Sequence, residues 1–309
     1  MLIANPIYDV VFKRLMENER VAKFFIGTFL NAAVEELTVQ PQEFTYTREA
    51  EGKGLIDLTV FRLDFIALIR LENGESQKIL IEIQKAGKEV DLMRFRNYLG
   101  EQYKKKDRIE GEETILPIKT IYILGFKLPT IESPCLHIAR QYRDMLTNQT
   151  IEKRSHFIER LTHDSYVVQV ERIGGKHQTR LEKLLTLFEQ AHFIDENGIL
   201  KNYPYELEEE EFKLMVDILH HTGTDPATRK EIETEQEAWR SVNAMFEKRE
   251  RELMEALEKR EAELEQERQE RAEREAELER EREEKDRERE EKERALKELE
   301  ELRKRLRGD

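Results

Sequence analysis

Between Asp9 and Leu30 the apolar positions fall three and four residues apart: Val11, Phe12, Leu15 and Met16, then Phe24, Phe25, Phe29 and Leu30. That spacing lines one face of a helix, and Pro6 suits a helix start, so the chain is predicted to open with two helices or one broken one. The period then shortens. Glu43 to Arg48, Leu55 to Phe61, Asp64 to Leu71 and Lys78 to Gln84 read as strands. Val90 to Lys106 returns to helical spacing, with Leu92, Phe95 and Leu99 on one stripe, and Ile118 to Phe126 reads as a buried strand ended by Lys127-Leu128-Pro129. Further strands are predicted at Cys135 to Arg140 and Ser165 to Glu171. After a Gly174-Gly175 break come an amphipathic helix carrying Leu181, Leu184, Leu185 and Phe188 and another helix from about Leu207 to His220. This order predicts a mixed α/β fold with a central sheet flanked by helices.

Asp225-Pro226 supplies an N-cap and first-turn signal for a last helix, and neither Gly nor Pro occurs from Ala227 to Arg307. Trp239, Val242 and Phe246 are placed to dock its first turns. Leu253, Ala295 and Leu302 share one heptad position and Leu257, Leu264, Leu278, Leu299 and Leu306 another, as in a coiled coil. The middle fails that pattern: Arg260, Glu267, Arg271, Arg274 and Lys285 occupy core positions, and Glu279 to Arg294 is an unbroken run of 16 charged residues. Pairs of opposite charge three and four apart, each worth about 0.2 to 0.5 kcal/mol, hold such a helix without a partner. A weak coiled coil and a solvated single helix are both consistent with the tail. The expected division is residues 1–225 as a folded domain, with 226–309 as a long charged helix.

The formal charge of −14 comes mostly from this tail: 30 acidic against 21 basic residues from Glu231 onward leave only −5 for the remainder. The acidic balance therefore says little about what the folded part binds. Cys135 is the one cysteine, which excludes an internal disulfide, and the seven histidines show no spacing of a structural zinc site. No apolar run is long enough for a membrane span, and the opening MLIANPIYDVVFKRL has neither a basic n-region nor a long apolar stretch, so a cytoplasmic location is expected.

The chemistry concentrates in two apolar runs, RLDFIAL and ILIEIQK, on either side of Glu72-Asn73-Gly74. With a strand period of two, Glu82 and Gln84 share one face while Ile81 and Ile83 take the other. A plain two-residue turn at Asn73-Gly74 would set Asp64 against Ile83 and split the carboxylates between faces. A three-residue loop with Gly74 in the left-handed position pairs Leu71 with Glu75 and sets Asp64 opposite Glu82. Two carboxylates about 5 Å apart across a ladder repel each other, and such a pair suits a hard divalent cation such as Mg²⁺ or Mn²⁺. A metal there promotes hydrolytic attack on a phosphodiester, with Gln84 placed to orient the water and Lys85 to offset transition-state charge.

These residues resemble the PD-(D/E)XK nuclease superfamily, in particular the recombination-promoting nuclease or PD-(D/E)XK family transposase group. The likeness lies in NPIYDVVFKRLM, RLDFIALI, KILIEIQKA, DLMRFRNYLGEQY and IYILGF. It spans residues 5–130, with family-like elements to about 195 and an extension taken as 131–225. The resemblance implies a restriction-endonuclease-like core, with Asp64 as the motif aspartate, Glu82 as the motif acid, and Gln84 at the position that is lysine in the superfamily's name. It implies a Mg²⁺-dependent DNA endonuclease of low sequence specificity, with DNA as partner and a homodimer favoured where both strands are cut. Accessory candidates are Asp9 and Lys13 on the opening helix, for which a plain surface pair is the favoured reading, and Asp57, for which a strand-edge charge is the favoured reading. Arg94, Tyr98 and Gln102, with Arg96 nearby, form a helix face suited to phosphate contacts or to plain solvation. The rival reading is a catalytically inactive nuclease-like DNA-binding or scaffold protein with an interaction tail.

Overall fold

The computed structural model describes residues 1–40, 43–50, 54–62, 64–85, 89–174 and 178–307. The chain runs β1 (Leu2–Ala4), α1 (Asp9–Met16), α2 (Glu19–Leu30), β2 (Val34–Val39), β3 (Glu43–Ala50), β4 (Gly54–Arg62), β5 (Phe65–Leu71), β6 (Ser76–Gln84) and α3 (Glu89–Lys104). It continues through β7 (Asp107–Ile109), β8 (Glu112–Thr114), β9 (Ile118–Leu124), β10 (Cys135–Ile138), β11 (Tyr142–Arg143), β12 (Thr150–Ile151), α4 (His156–Leu161) and β13 (His163–Gln169). The last elements are α5 (Arg180–Thr186), β14 (Leu200–Asn202), α6 (Glu210–Thr224) and α7 (Pro226–Arg307). The break between the two opening helices falls where Asn18 caps α2, its side chain accepting from the Val21 amide at 3.2 Å.

Six strands make one mixed sheet in the order β10-β13-β9-β6-β5-β2, in which β9 is parallel to both β6 and β13 and the other neighbours are antiparallel. The parallel β6–β9 pair needs a crossover, and α3 lies within that connection. This is the mixed α/β class expected, with two differences. β3 and β4 form a separate two-stranded ribbon outside the central sheet. The sheet edge is instead β2, whose Glu36 pairs with Arg70 of β5; its sequence, VEELTV, alternates too weakly to read as a strand.

The two sheet faces carry different cores. Phe65, Ala67, Ile69, Ile79, Ile81, Ile83, Ile121 and Ile123 join Phe12, Phe25 and Phe188 in the larger one. On the opposite face Ile66, Leu80 and Ile118 pack with Phe95 and Tyr98 of α3. The helix stripe is rotated from the one hydropathy suggests: Leu92 and Met93 are exposed, while Tyr98 and Gln102 are buried. Glu82 and Gln84 fall on this second face by the period of two.

The chain divides into compact units at Met1–Glu237 and Ala238–Asp309, twelve residues beyond the expected boundary at 225. The shift arises because the first turns of α7 bury Thr228 and Ile232. Asp225 caps them as expected, accepting from the Thr228 amide at 2.9 Å. In the second unit Leu257, Leu264, Leu278 and Leu299 are exposed, and Arg260 pairs with Glu263 at 3.2 Å. The side chains of Trp239, Val242, Phe246, Leu253, Leu302 and Leu306 lie outside those described. Among the described residues no helix is long and apolar enough to cross a membrane.

Candidate active site

The loop after β5 decides which residues meet. The Leu71 amide donates to the Glu75 carbonyl at 2.9 Å and the Gly74 amide to the Leu71 carbonyl at 2.8 Å. Gly74 has φ of 83°, a left-handed value that a side chain resists. This is the three-residue loop, and the ladder accordingly pairs Phe65 with Ile81 and Ile66 with Leu80. One step beyond the last pair, the same register sets Asp64 opposite Glu82.

β5 begins at Phe65, opposite Ile81, and beyond that pair Asp64 Oδ2 accepts the Ile83 amide at 2.6 Å. Asp64 is 6 % exposed and Glu82 1 % exposed. Burial first, then the negative charges of Asp9 and Glu82, hold the Asp64 carboxyl well above the usual carboxylate range, against the opposing pull of the Ile83 amide and Lys13. The Asp9 and Lys13 charges of α1 therefore bear on this carboxylate. Glu82 also acts on Tyr122, its neighbour on β9, whose phenol is pushed up by burial and by that negative charge.

Gln84 is buried, and its Nε2 makes no hydrogen bond among the described residues. Its carbonyl accepts from the Gly125 amide at 2.7 Å. A Cβ at Gly125 would sit 2.9 Å from Ile7 Cδ1 and 3.1 Å from Lys85 Cα, so glycine there lets the end of β9 close on the Gln84–Lys85 backbone.

Lys85 meets partners the sequence did not suggest: its ammonium ion-pairs with Glu235 of α7 and lies 4.4 Å from the centre of the Tyr8 ring. The same Glu235 oxygen accepts the Asp9 amide at 3.1 Å. Tyr8, at the N-cap position of α1, offers no side-chain cap, so a carboxylate from α7 fills that role at the positive end of the helix. Glu235 was not singled out from the sequence because it sits among many acidic residues of the tail; its distance from the charge-only middle of α7 was the available clue.

Other candidates separate from the site. Tyr98 and Gln102 are 1 % and 4 % exposed, so neither stands on the open helix face expected to meet phosphate; Tyr98 is held by the apolar cluster it completes with Ile66, Leu80, Phe95 and Ile118. Arg96 is exposed, and the side chain of Arg94 lies outside those described. Asp57 stands opposite Thr47 in the β3–β4 ribbon, not in the central sheet, and its side chain too lies outside those described.

Among the described residues no group of three or more His, Cys, Asp or Glu side chains is arranged to hold a metal. Asp64 and Glu82 stand as a pair of buried carboxylates. One or two carboxylates completed by water and phosphate is the way Mg²⁺ binds in many phosphoryl-transfer sites. Burial, with the negative charges of Asp9 and Glu82, raises the Asp64 pKa, and a divalent charge would offset all three, so the residues fit such an ion. Comparison of the chain with models of known protein families, with curated proteins and with solved structures finds no match.

Proposed function

We propose that this chain is a metal-dependent DNA endonuclease of the PD-(D/E)XK type, hydrolysing phosphodiester bonds with Mg²⁺ or Mn²⁺ as cofactor. The observation that carries this reading is the bulged hairpin register, which brings two buried carboxylates together at the end of β5. Burying two acids side by side is costly, and a divalent ion would offset that cost.

When bound, a hard divalent ion supplies positive charge to the phosphoryl oxygens and acidifies water at neutral pH. Asp64 and Glu82 would hold it. Gln84 offers a buried N–H that is unengaged among the described residues and able to orient an acceptor beside them. Lys85, fixed between Glu235 and Tyr8, contributes a stationary positive charge at the end of β6. Asp9 adds negative charge at the rim and so favours a cation further.

The rival reading is an inactive nuclease-like binding or scaffold protein, and one observation favours it: the Asp64 carboxylate already has a structural task, closing the Ile83 amide. Plasmid cleavage separates the two. Purified protein with Mg²⁺ or Mn²⁺ is expected to nick or linearise plasmid DNA, and Asp64→Ala and Glu82→Ala are each expected to reduce the rate by about 100-fold or more, since even the partners of metal ligands typically cost 10- to 100-fold. Cleavage unchanged in both variants removes the enzyme reading.

A further inference from the structure

Between β10 and β13 the chain makes an excursion whose helix, α4, buries none of its residues even though it carries Phe157, Ile158 and Leu161. Phe157 is 71 % exposed, Leu161 57 % and, across from them, Ile115 52 %. These three side chains line a cleft of about 570 Å³ between α4, the β7–β8 hairpin and the end of α3, with Leu116 and Ile118 also in its wall. Exposed apolar side chains gathered in a single depression mark an interaction surface more than scattered ones do.

The cleft is built, not loose. Arg140 ties α4 down from behind: its guanidinium donates to the carbonyls of Ile158, Glu159 and Thr162, to the Glu159 carboxylate at 2.7 Å, and to Asp164 at 2.9 Å. The polar side of this segment is therefore satisfied while its apolar side is left open. A fixed wall reduces the ordering cost of binding.

The charge of the cleft selects the partner. Among the described residues Lys78, Lys105, Lys106 and Arg160 line it against Asp107 and Glu113, and those two carboxylates pair with Lys78 at 2.6 Å and Lys106 at 3.0 Å. A local cationic excess on a chain of net charge −14 calls for an anionic occupant. Ile115, Leu116, Ile118 and Leu161 make up its apolar wall with Phe157, and the hydroxyl of the second ring in it, Tyr103, lies 2.9 Å from Nδ1 of His163, so the wall suits leucine-like anchors better than stacked bases.

We propose that this cleft docks an acidic amphipathic peptide segment of a partner protein, with apolar side chains against Phe157, Leu161 and Ile115 and carboxylates on Lys105, Lys106 and Arg160. The surface is distinct from Asp64 and Glu82, and the proposal does not require nuclease activity.

Fluorescence anisotropy on the full chain in EDTA tests it with four labelled probes: a helical peptide with Leu at three- and four-residue spacing among Glu, the same peptide with Leu replaced by Ser, a Leu/Lys version, and a 20-nucleotide single-stranded DNA. The Leu/Glu peptide is expected to bind at least tenfold more tightly than the other two peptides. Phe157→Ser and Lys105→Glu/Lys106→Glu proteins, with unchanged circular dichroism, are expected to weaken it at least fivefold. Equal binding of the Leu and Ser peptides, tighter binding of the DNA through these same residues, or no effect of either variant overturns the proposal.

Discussion

Asp64 Oδ2 accepts the backbone amide of Ile83 at 2.6 Å, directly beyond the position where Glu82 stands across the hairpin. One carboxylate thus both finishes the hydrogen bonding of β6 and shares a buried space with a second acid. The first task needs an acceptor and the second brings a charge, and substitutions separate them.

Asp64→Asn keeps a carbonyl oxygen for the Ile83 amide and removes the charge. Burial, Asp9 and Glu82 raise the folded-state pKa of Asp64 above the value of about 4 that an unfolded aspartate has. The folded state therefore holds this proton to higher pH than the unfolded state does. The resulting stabilisation is complete below about pH 4 and is lost as pH rises through the elevated folded pKa. Thermal melts in EDTA between pH 4 and 8 are expected to show that loss in the wild-type protein and a flatter profile in Asp64→Asn, which becomes the more stable of the two near neutrality. Parallel profiles would contradict the raised pKa of Asp64.

Gln84 presents a buried Nε2 with no partner among the described residues. Gln84→Lys is expected to retain or increase plasmid cleavage, because an ammonium donates to the same acceptor. Gln84→Leu is expected to lower the rate roughly tenfold, the size of one lost hydrogen bond to a charged group. A Gln84→Lys protein that is folded but inactive would count against a role for this side chain in orienting water or phosphate.

Truncation locates the boundary of the folded unit. A chain ending at Glu237 is expected to remain folded and to keep the cleavage chemistry. One ending at Asp225 loses Ile232, which is fully buried, and the Glu235 carboxylate that engages Lys85 and the start of α1. Loss of a buried aliphatic side chain alone costs about 2 to 5 kcal/mol. Urea denaturation of the two proteins gives the comparison, and equal midpoints would mean that the first turns of α7 are not part of the domain.

Much of this arrangement is legible before any coordinates. Leu71-Glu72-Asn73-Gly74-Glu75 already contains the glycine that a bulged three-residue loop requires, and the strand period then carries Asp64 and Glu82 to one face. Less legible is α3. Hydropathy favours Leu92 over Tyr98 and Gln102, yet a tyrosine ring and a glutamine stem both bury well against a sheet when their polar ends are accommodated, and these two won the inner face. β2 was hidden because an edge strand tolerates exposed acids once Arg70 pairs with them. Glu235 lay beyond the reach of local pattern: its partners Lys85 and Asp9 are distant in sequence, and only tertiary packing gives one glutamate of a charged helix a separate task.

The central claim is that Asp64 and Glu82 jointly hold a divalent ion, and Mn²⁺ binding tests it apart from turnover. In a buffer of physiological salt, which screens the acidic tail, the loss of the free-ion paramagnetic resonance signal reports binding to the full chain. Wild-type protein is expected to bind Mn²⁺, with affinity reduced about tenfold or more by either Asp64→Asn or Glu82→Gln, a change of about 1.4 kcal/mol or more. Indistinguishable binding by wild-type protein and both variants would contradict the account.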